Sequence, residues 1–496
     1  MKKVIFKIML LLLVLTSCDN GYEELNVDPT KSSQIDAKSK FTAAQLRMSG
    51  ERYEAWRANL IYQSTMMQHI ATTASYWSGD KYFWNKDYAS SLWDRYYTGP
   101  IKAIEDILVQ LEEEEQPTEM IAIARIQRVV MFQRLTDVYG DIPYSEAGKG
   151  YLDGNLTPKY DLQSDIYADL LKELEESAAV LSTGTSEWGD ADLLFKGDQA
   201  KWKRYANSMM LRLALRMIKV DAAASQAWAT KAIEGGVMTS NSDIAYIQHS
   251  AGPEGINKNG NGEAFSADSN PRLSKTFVDF LSDDPRLPIL GARRSDKSTV
   301  VANLKGLPNG LDSDLLKAAT GELNTDAYAE PNRAIITGED APMFFQTYAE
   351  VEFMLAESAF RWGLAGGNVE AHYNAGVTAA MKYLSIYGTA ATISDAQIQL
   401  YLTTKPFVAA NALQMIGNQY WAATFLNEYE TFANWRRTGF PALVPVNYPG
   451  NETNGTIPRR LTYATSEQVV NPINYAAAIA AQGPDILTTR VWWDKL

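Results

Sequence analysis

Only one cysteine, Cys18, stands in the 496 residues, so no disulfide can close within the chain. Histidine is almost as scarce. His69, His249 and His372 lie far apart, and none belongs to a His-x-x-x-His pair, which argues against a zinc enzyme. Basic residues are outnumbered, 46 against 59 acids, for a net charge of −13. That balance argues against nucleic acid as a partner and against lying flat on anionic lipid. After the first few residues no apolar run approaches the length of a membrane span. No EF-hand loop is present, and no strict 34-residue period runs through the chain.

The one concentrated apolar run, residues 8–15, follows Lys2, Lys3 and Lys7. A positive start, a short apolar core and small residues before a cut site describe a secretory signal. L-T-S-C at 15–18 resembles the lipobox of bacterial lipoproteins, in which the thiol takes up lipid and becomes the first mature residue. Residues 1–17 are therefore expected to be a signal peptide and Cys18 a lipid anchor. One acyl chain holds only marginally, and the triacylated end of a bacterial lipoprotein, palmitate included, would hold firmly. Asp19, Glu23 and Glu24 resemble the surface-export signal of Bacteroidetes lipoproteins. Cleavage would leave 479 residues and remove three lysines, shifting the charge to −16. Residues 18–40 read as a lipidated tether, with a turn at Asp28-Pro29.

Helical patterning dominates residues 41–496, read as one domain. Helices are expected over 41–74, 91–111, 119–138, 199–220, 221–235, 350–362 and 369–387, and over 411–437 with an internal break. Asp161 is expected to cap a helix running to Leu181, with Ile166, Leu170, Leu174 and Ala178 on its buried face. Trp202, Tyr205 and Leu213 share another apolar face, and Arg212 and Arg216 one turn apart read as structural. Recurring helix pairs suggest TPR-like packing. Long Gly-, Pro- and Asn-rich insertions, mainly 248–340 and 439–468, give a loop-rich, irregular second part with few short strands. The fold class is thus mainly α: a scaffold of TPR-like helix pairs carrying loops.

Several stretches stand in a distinctive order: E-E-L-N-V-D-P at 23–29, D-V-Y-G-D-I-P-Y-S-E-A at 137–147, and Y-D-L-Q-S-D-I-Y-A-D-L-L-K-E-L at 160–174. They are followed by F-K-G-D-Q-A-K-W-K-R-Y-A-N-S-M-M-L-R-L-A-L-R at 195–216, I-P-R-R-L-T-Y at 457–463 and T-T-R-V-W-W-D at 488–494. Together they resemble the SusD/RagB-like outer-membrane nutrient-binding lipoproteins, nearest the SusD-like, starch-binding-associated branch. The resemblance covers nearly the whole mature chain. It implies a lipid-anchored, surface-exposed, non-catalytic protein of the outer membrane that captures a nutrient oligomer, usually a glycan. It also implies delivery to a SusC-like TonB-dependent transporter.

A sugar presents a face of C–H groups that stacks on aromatic rings and a rim of hydroxyls that needs amides or charged groups. Residues 75–85 hold both, with Trp77, Tyr82 and Trp84 as expected platforms and Asp80, Lys81 and Asn85 at the rim. The same rings could instead pack the first helices together. Residues 252–270, with Glu263 and Phe265, form a second candidate read as a mobile surface loop, and residues 328–333 a third. The acidic loops at Asp190 and Asp192 and at Asp312 and Asp314 could hold a structural calcium through oxygen ligands; no other cofactor or metal is indicated. Two further functions fit the residues. A lipid-anchored glycoside hydrolase would need two carboxylates about 5–10 Å apart, and a TPR-like adaptor would grip protein alone. Cys18→Ser should leave the domain folded and release it from membranes. Membrane fractionation of cells lacking the transporter checks this, and unchanged retention in a salt-washed pellet would count against the anchor.

Overall fold

The computed structural model describes residues 35–252 and 255–495. The signal peptide, Cys18 and most of the tether lie outside these residues. The first described helix, α1 (Ala37–Ser49), starts ahead of the expected position because Asp36 caps it, accepting from Ser39 N at 2.9 Å. The single helix expected over 41–74 is broken at Gly50, whose φ of 100° suits glycine. Helix α2 (Arg52–Glu54) then runs directly into a π-helix over Ala55–Ser64.

Helices α3 (Lys86–Tyr96) and α4 (Lys102–Glu113) are joined by a π-turn, Tyr97–Ile101, that contains Pro100. Proline offers no N–H and crowds the preceding turn, and the wider turn accommodates both defects. Next come α5 (Thr118–Tyr139), α6 (Gln163–Val180), α7 (Gln199–Arg216) and α8 (Ala222–Gly235). Asp198 and Asp221 cap the last two. Asp161 does not cap α6. Its carboxylate instead accepts from Ser145 N at 2.7 Å, while Asp141 takes Gln163 N at 2.8 Å and closes the first turn. Helix α5 ends at Gly140, with φ 87°.

From α5 to α8 each helix packs on the one before it, which is the TPR-like arrangement. In the second half α9 (Tyr348–Trp362) packs on α10 (Val369–Lys382) and α11 (Ala412–Ala423). The expected break within 411–437 separates α11 from α12 (Glu428–Thr438), and α13 (Pro472–Gln482) lies near the chain end. Four two-stranded antiparallel ribbons join distant loops: Ile70–Ala71 with Arg272–Leu273, Ile142–Pro143 with Tyr160–Asp161, Ala245–Gln248 with Pro342–Gln346, and Gly291–Arg293 with Ala329–Pro331. No closed sheet forms among the described residues.

The interior is apolar with an ionic centre. Arg212 of α7 meets Glu350 of α9 at 2.7 Å, and Arg216 meets Glu430 of α12 at 2.7 Å and Asp137 of α5 at 3.4 Å. Trp493 is fully buried and donates to Asp137 at 3.1 Å, docking the C-terminal segment. Trp202 and Tyr205 are buried, and Trp202 Nε1 donates to Asp192 at 2.7 Å.

Trp202→Ala should therefore lower stability by roughly 3–5 kcal/mol; a thermal midpoint equal to the parent's would contradict its place in the core. A second outcome concerns acid. Burial alone would raise the Glu357 carboxyl, but Arg437, bonded to both its oxygens at 2.7 Å, and Arg361 overcome this and hold it at about 2. A depressed carboxylate contributes stability above its unfolded value near 4.5, and this is lost as pH falls towards 2. Glu357→Gln should cost roughly 3–5 kcal/mol at neutral pH, because Arg437 is left buried without its partner. The gap between variant and parent in denaturant titrations should narrow between pH 4.5 and pH 2; a gap constant with pH would refute the assignment.

Candidate functional site

The stretch 75–85 is held against the π-helix by a glycine. A Cβ on Gly79 would lie 2.2 Å from Ile61 O, so only glycine allows the turn Ser78–Lys81 to sit directly on that helix backbone. This approach buries most of what the sequence suggested as a ligand platform. Trp77 is fully buried, and its Nε1 donates to Asp268 at 2.9 Å. Tyr82 is buried, and its hydroxyl accepts from Val446 N at 3.2 Å. Asp80 and Lys81 are buried as well. Asp80 accepts from Gly310 N at 3.1 Å and from the Asn309 amide, and burial raises its pKa. Lys81 donates to Thr72 O at 3.0 Å. The Asn85 amide oxygen caps α3, accepting from Asp87 N and Tyr88 N, each at 3.1 Å. In this arrangement Trp77 and Tyr82 offer no face to a sugar, and Asp80 and Lys81 no rim. Of the three expected rings only Trp84 is exposed, at 42%.

The neighbour of Trp77 faces outward. Tyr76 is 39% exposed; its hydroxyl donates to Asp268 Oδ2 at 2.7 Å and accepts from the Asn270 amide at 2.8 Å. Asp268 Oδ1 accepts from Asn270 N at 2.9 Å, so both oxygens of this carboxylate are occupied and it acts as a fixed acceptor. Arg333 donates to Asp268 O at 2.8 Å and to Phe265 O. The three stretches singled out in the sequence therefore meet here, through Tyr76, Asp268 and Arg333.

Beside Tyr76 lies a face of the stretch expected as one helix over 41–74. The Trp56 ring stands edge-on to Tyr76, with centroids 6.4 Å apart. The Arg52 guanidinium lies 5.5 Å from the Trp56 ring and 5.6 Å from that of Tyr53, which is 43% exposed. The Arg57 guanidinium also lies over the Tyr53 ring, at 5.0 Å. Guanidinium groups so placed fix the rings and leave N–H groups at their edges. Trp56 Nε1 and Arg52 Nε are shielded from solvent and have no hydrogen-bond partner among the described residues. Aromatic and basic residues at 52, 53, 56 and 57 carry the signal, but their spacings of three and four also mark a buried helical face.

The other two stretches are more ordered than a mobile loop. Within 252–270 a helix spans Gly260–Ala267, capped by Asn259; Phe265 is buried and Glu263 half-buried. Tyr328 is buried, and Glu330 is enclosed with Arg294 and Arg333, both at 3.0 Å. The acidic loops have other occupations. Asp192 is buried and accepts from Gln45, Leu194 N, Gly197 N and Trp202 at 2.7–3.0 Å. Asp312 caps the helix Ser313–Thr320, accepting from Leu315 N at 2.8 Å, and accepts from Tyr448 OH at 2.8 Å. Donors fill the Asp192 carboxylate, and each Asp312 oxygen accepts one hydrogen bond.

Comparison with known proteins agrees with this architecture. Residues 29–464 match the SusD-like family described as starch-binding, associating with the outer membrane. A solved chitin-binding protein superposes with a TM-score of 0.84 at 33% identity, over 93% of this chain and 100% of its own. A Bacteroidetes SusD-like protein gives 0.82 at 26% identity, over 93% and 100%. A chitin-binding SusD homologue from Flavobacterium johnsoniae gives 0.76 at 23%, over 92% and 98%. No curated protein matches the sequence significantly. With the family pattern spanning most of the chain and the helical scaffold shared throughout, this protein belongs to the SusD-like family.

Proposed function

We propose that the protein is a non-catalytic surface lipoprotein, anchored through Cys18, that captures a glycan and passes it to a SusC-like TonB-dependent transporter. The observation that carries the reading is the surface around Tyr76, where rings from residues 53, 56 and 76 meet a rim supplied by Asn270 and Arg52. Rings locked by guanidinium groups and hydrogen bonds lose little entropy on stacking, which suits reversible capture. The saturated Asp268 carboxylate supports binding over hydrolysis. No described helix is long and apolar enough to cross a membrane, so attachment in this reading rests on the lipid.

The first ligand class to test is the β-1,4-linked N-acetylglucosamine oligomer, since two solved relatives are described as chitin-binding. Its pyranose faces would lie on Tyr53 and Tyr76, and its polar rim would meet the Asn270 amide and the Arg52 guanidinium. Calorimetric titration of the mature protein with an N-acetylglucosamine hexasaccharide and with maltohexaose tests this. Tyr76→Ala should weaken binding by roughly 1–3 kcal/mol, as for other stacking platforms, with little change in thermal midpoint because the ring is exposed. Trp56→Phe should weaken both oligomers less than Tyr76→Ala does, because it keeps a ring and removes only a nitrogen shielded from solvent. Binding of both oligomers unaltered by either substitution, or the appearance of new reducing ends, would overturn the proposal.

A further inference from the structure

Trp84 stands at the far end of the same turn, away from the Tyr76 surface, and lines a cleft of its own. The cleft has a volume of about 330 Å³ and lies between the 75–85 stretch and the C-terminal segment, with Glu452, Tyr463, Gln468 and Asp485 among its walls. This is at the lower end of small-ligand pockets, which run from about 300 to 1,000 Å³. The Trp84 ring is exposed but fixed: its Nε1 donates to Thr462 Oγ1 at 2.8 Å, and its backbone N donates to Glu452 Oε1 at 3.2 Å. A solvent-facing indole held by its own nitrogen is a stacking plane already oriented before any ligand arrives.

The charge of the lining narrows the ligand. Glu452 and Asp485 bring two carboxylates, and no lysine or arginine lines the cleft. Asp485 is engaged by Arg460 at 2.9 Å and Tyr463 N at 3.1 Å, and the Tyr475 hydroxyl donates to its other oxygen at 3.2 Å. Burial raises its pKa. Glu452 is exposed and pairs with no cation among the described residues. An acidic sugar would face uncompensated repulsion here, whereas an uncharged ring could stack on Trp84 and donate its hydroxyls to Glu452 and Gln468.

We propose that this cleft is a second saccharide site, separate from the Tyr76 surface, that accepts an uncharged pyranose on Trp84 and rejects uronic acids. The proposal rests on reading the protein as a glycan binder, but not on the Tyr76 surface being where capture occurs.

The test uses the mature protein with its tryptophans replaced by 5-fluorotryptophan. The Trp84 resonance is assigned by its loss in Trp84→Phe, and thermal melts confirm that this variant folds. N-acetylglucosamine and maltose hexasaccharides should each shift the Trp84 resonance in a saturable way, in the parent and in Tyr76→Ala alike. A galacturonate hexasaccharide should leave it in place, and Glu452→Gln should reduce that discrimination. A Trp84 resonance that moves with neither neutral oligomer, or moves equally with the uronate, overturns the second site whatever happens at Tyr76. Failure of the first surface reads differently: Tyr76→Ala would leave every titration unchanged while the Trp84 resonance still moved.

Discussion

Two arginines on one face of α7 are buried among three carboxylates from three other helices, and much of the molecule is arranged to make that tolerable. Arg212 and Arg216 reach Glu350, Glu430 and Asp137 on α9, α12 and α5. Taking such charges out of water costs several kcal/mol per ion. The cost is offset only if every oxygen finds a donor. Tyr420 donates to Glu430 at 2.8 Å, and Tyr167 and Trp493 both donate to Asp137. The two glutamates then behave differently. Burial works against ionisation in both, but Arg212 and Arg216 together pull Glu430 below its ordinary pKa. Glu350 has Arg212 alone, is repelled by Glu430, and is raised.

That knot fixes how the two halves of the chain meet, and so where the surface rings stand. Glu430 lies on α12, and the start of α12 holds the π-helix. Glu428 N donates to Asn59 Oδ1 at 3.0 Å, Asn59 donates to Leu426 O at 3.1 Å, and His69 lies 2.9 Å from the Glu428 carboxylate. The π-helix in turn receives the Gly79 turn, and the turn presents Tyr76 at one end and Trp84 at the other. Each ring is thus set by a chain of packed contacts running back to the ionic centre, which is how a loop residue acquires the rigidity of a helix residue.

The scaffold was legible in the sequence because helix pairs repeat their apolar spacing. The break within 411–437 and the burial of Trp202 follow from propensity and periodicity alone. Asp161 misled because a capping residue and a turn residue look alike in sequence, and the nearby Asp141 carboxylate did the capping from across a ribbon. The proposed ligand surface was half legible. Composition drew attention to 75–85, 252–270 and 328–333, and these do meet. It could not say which rings face outward, because the deciding contact is a glycine resting on a backbone some eighteen residues earlier. The same ambiguity hid Tyr53 and Trp56, whose helical spacing is that of a core face.

The consequence is a separation of two kinds of aromatic residue on one short stretch. Trp77 and Tyr82 carry stability, since each is buried with its polar atom bonded. Tyr76 and Trp84 expose much of their rings and bond their polar atoms to the buried Asp268 and Thr462. A change at an exposed ring therefore alters what can stack there while leaving the Gly79 contact and the helices beneath it intact. A change at a buried ring disturbs the turn and both exposed faces at once. The scaffold holds its shape at low sequence identity, with TM-scores of 0.82 and 0.76 at 26% and 23% identity. That is why the fold is shared widely and the ligand has to be argued from individual side chains.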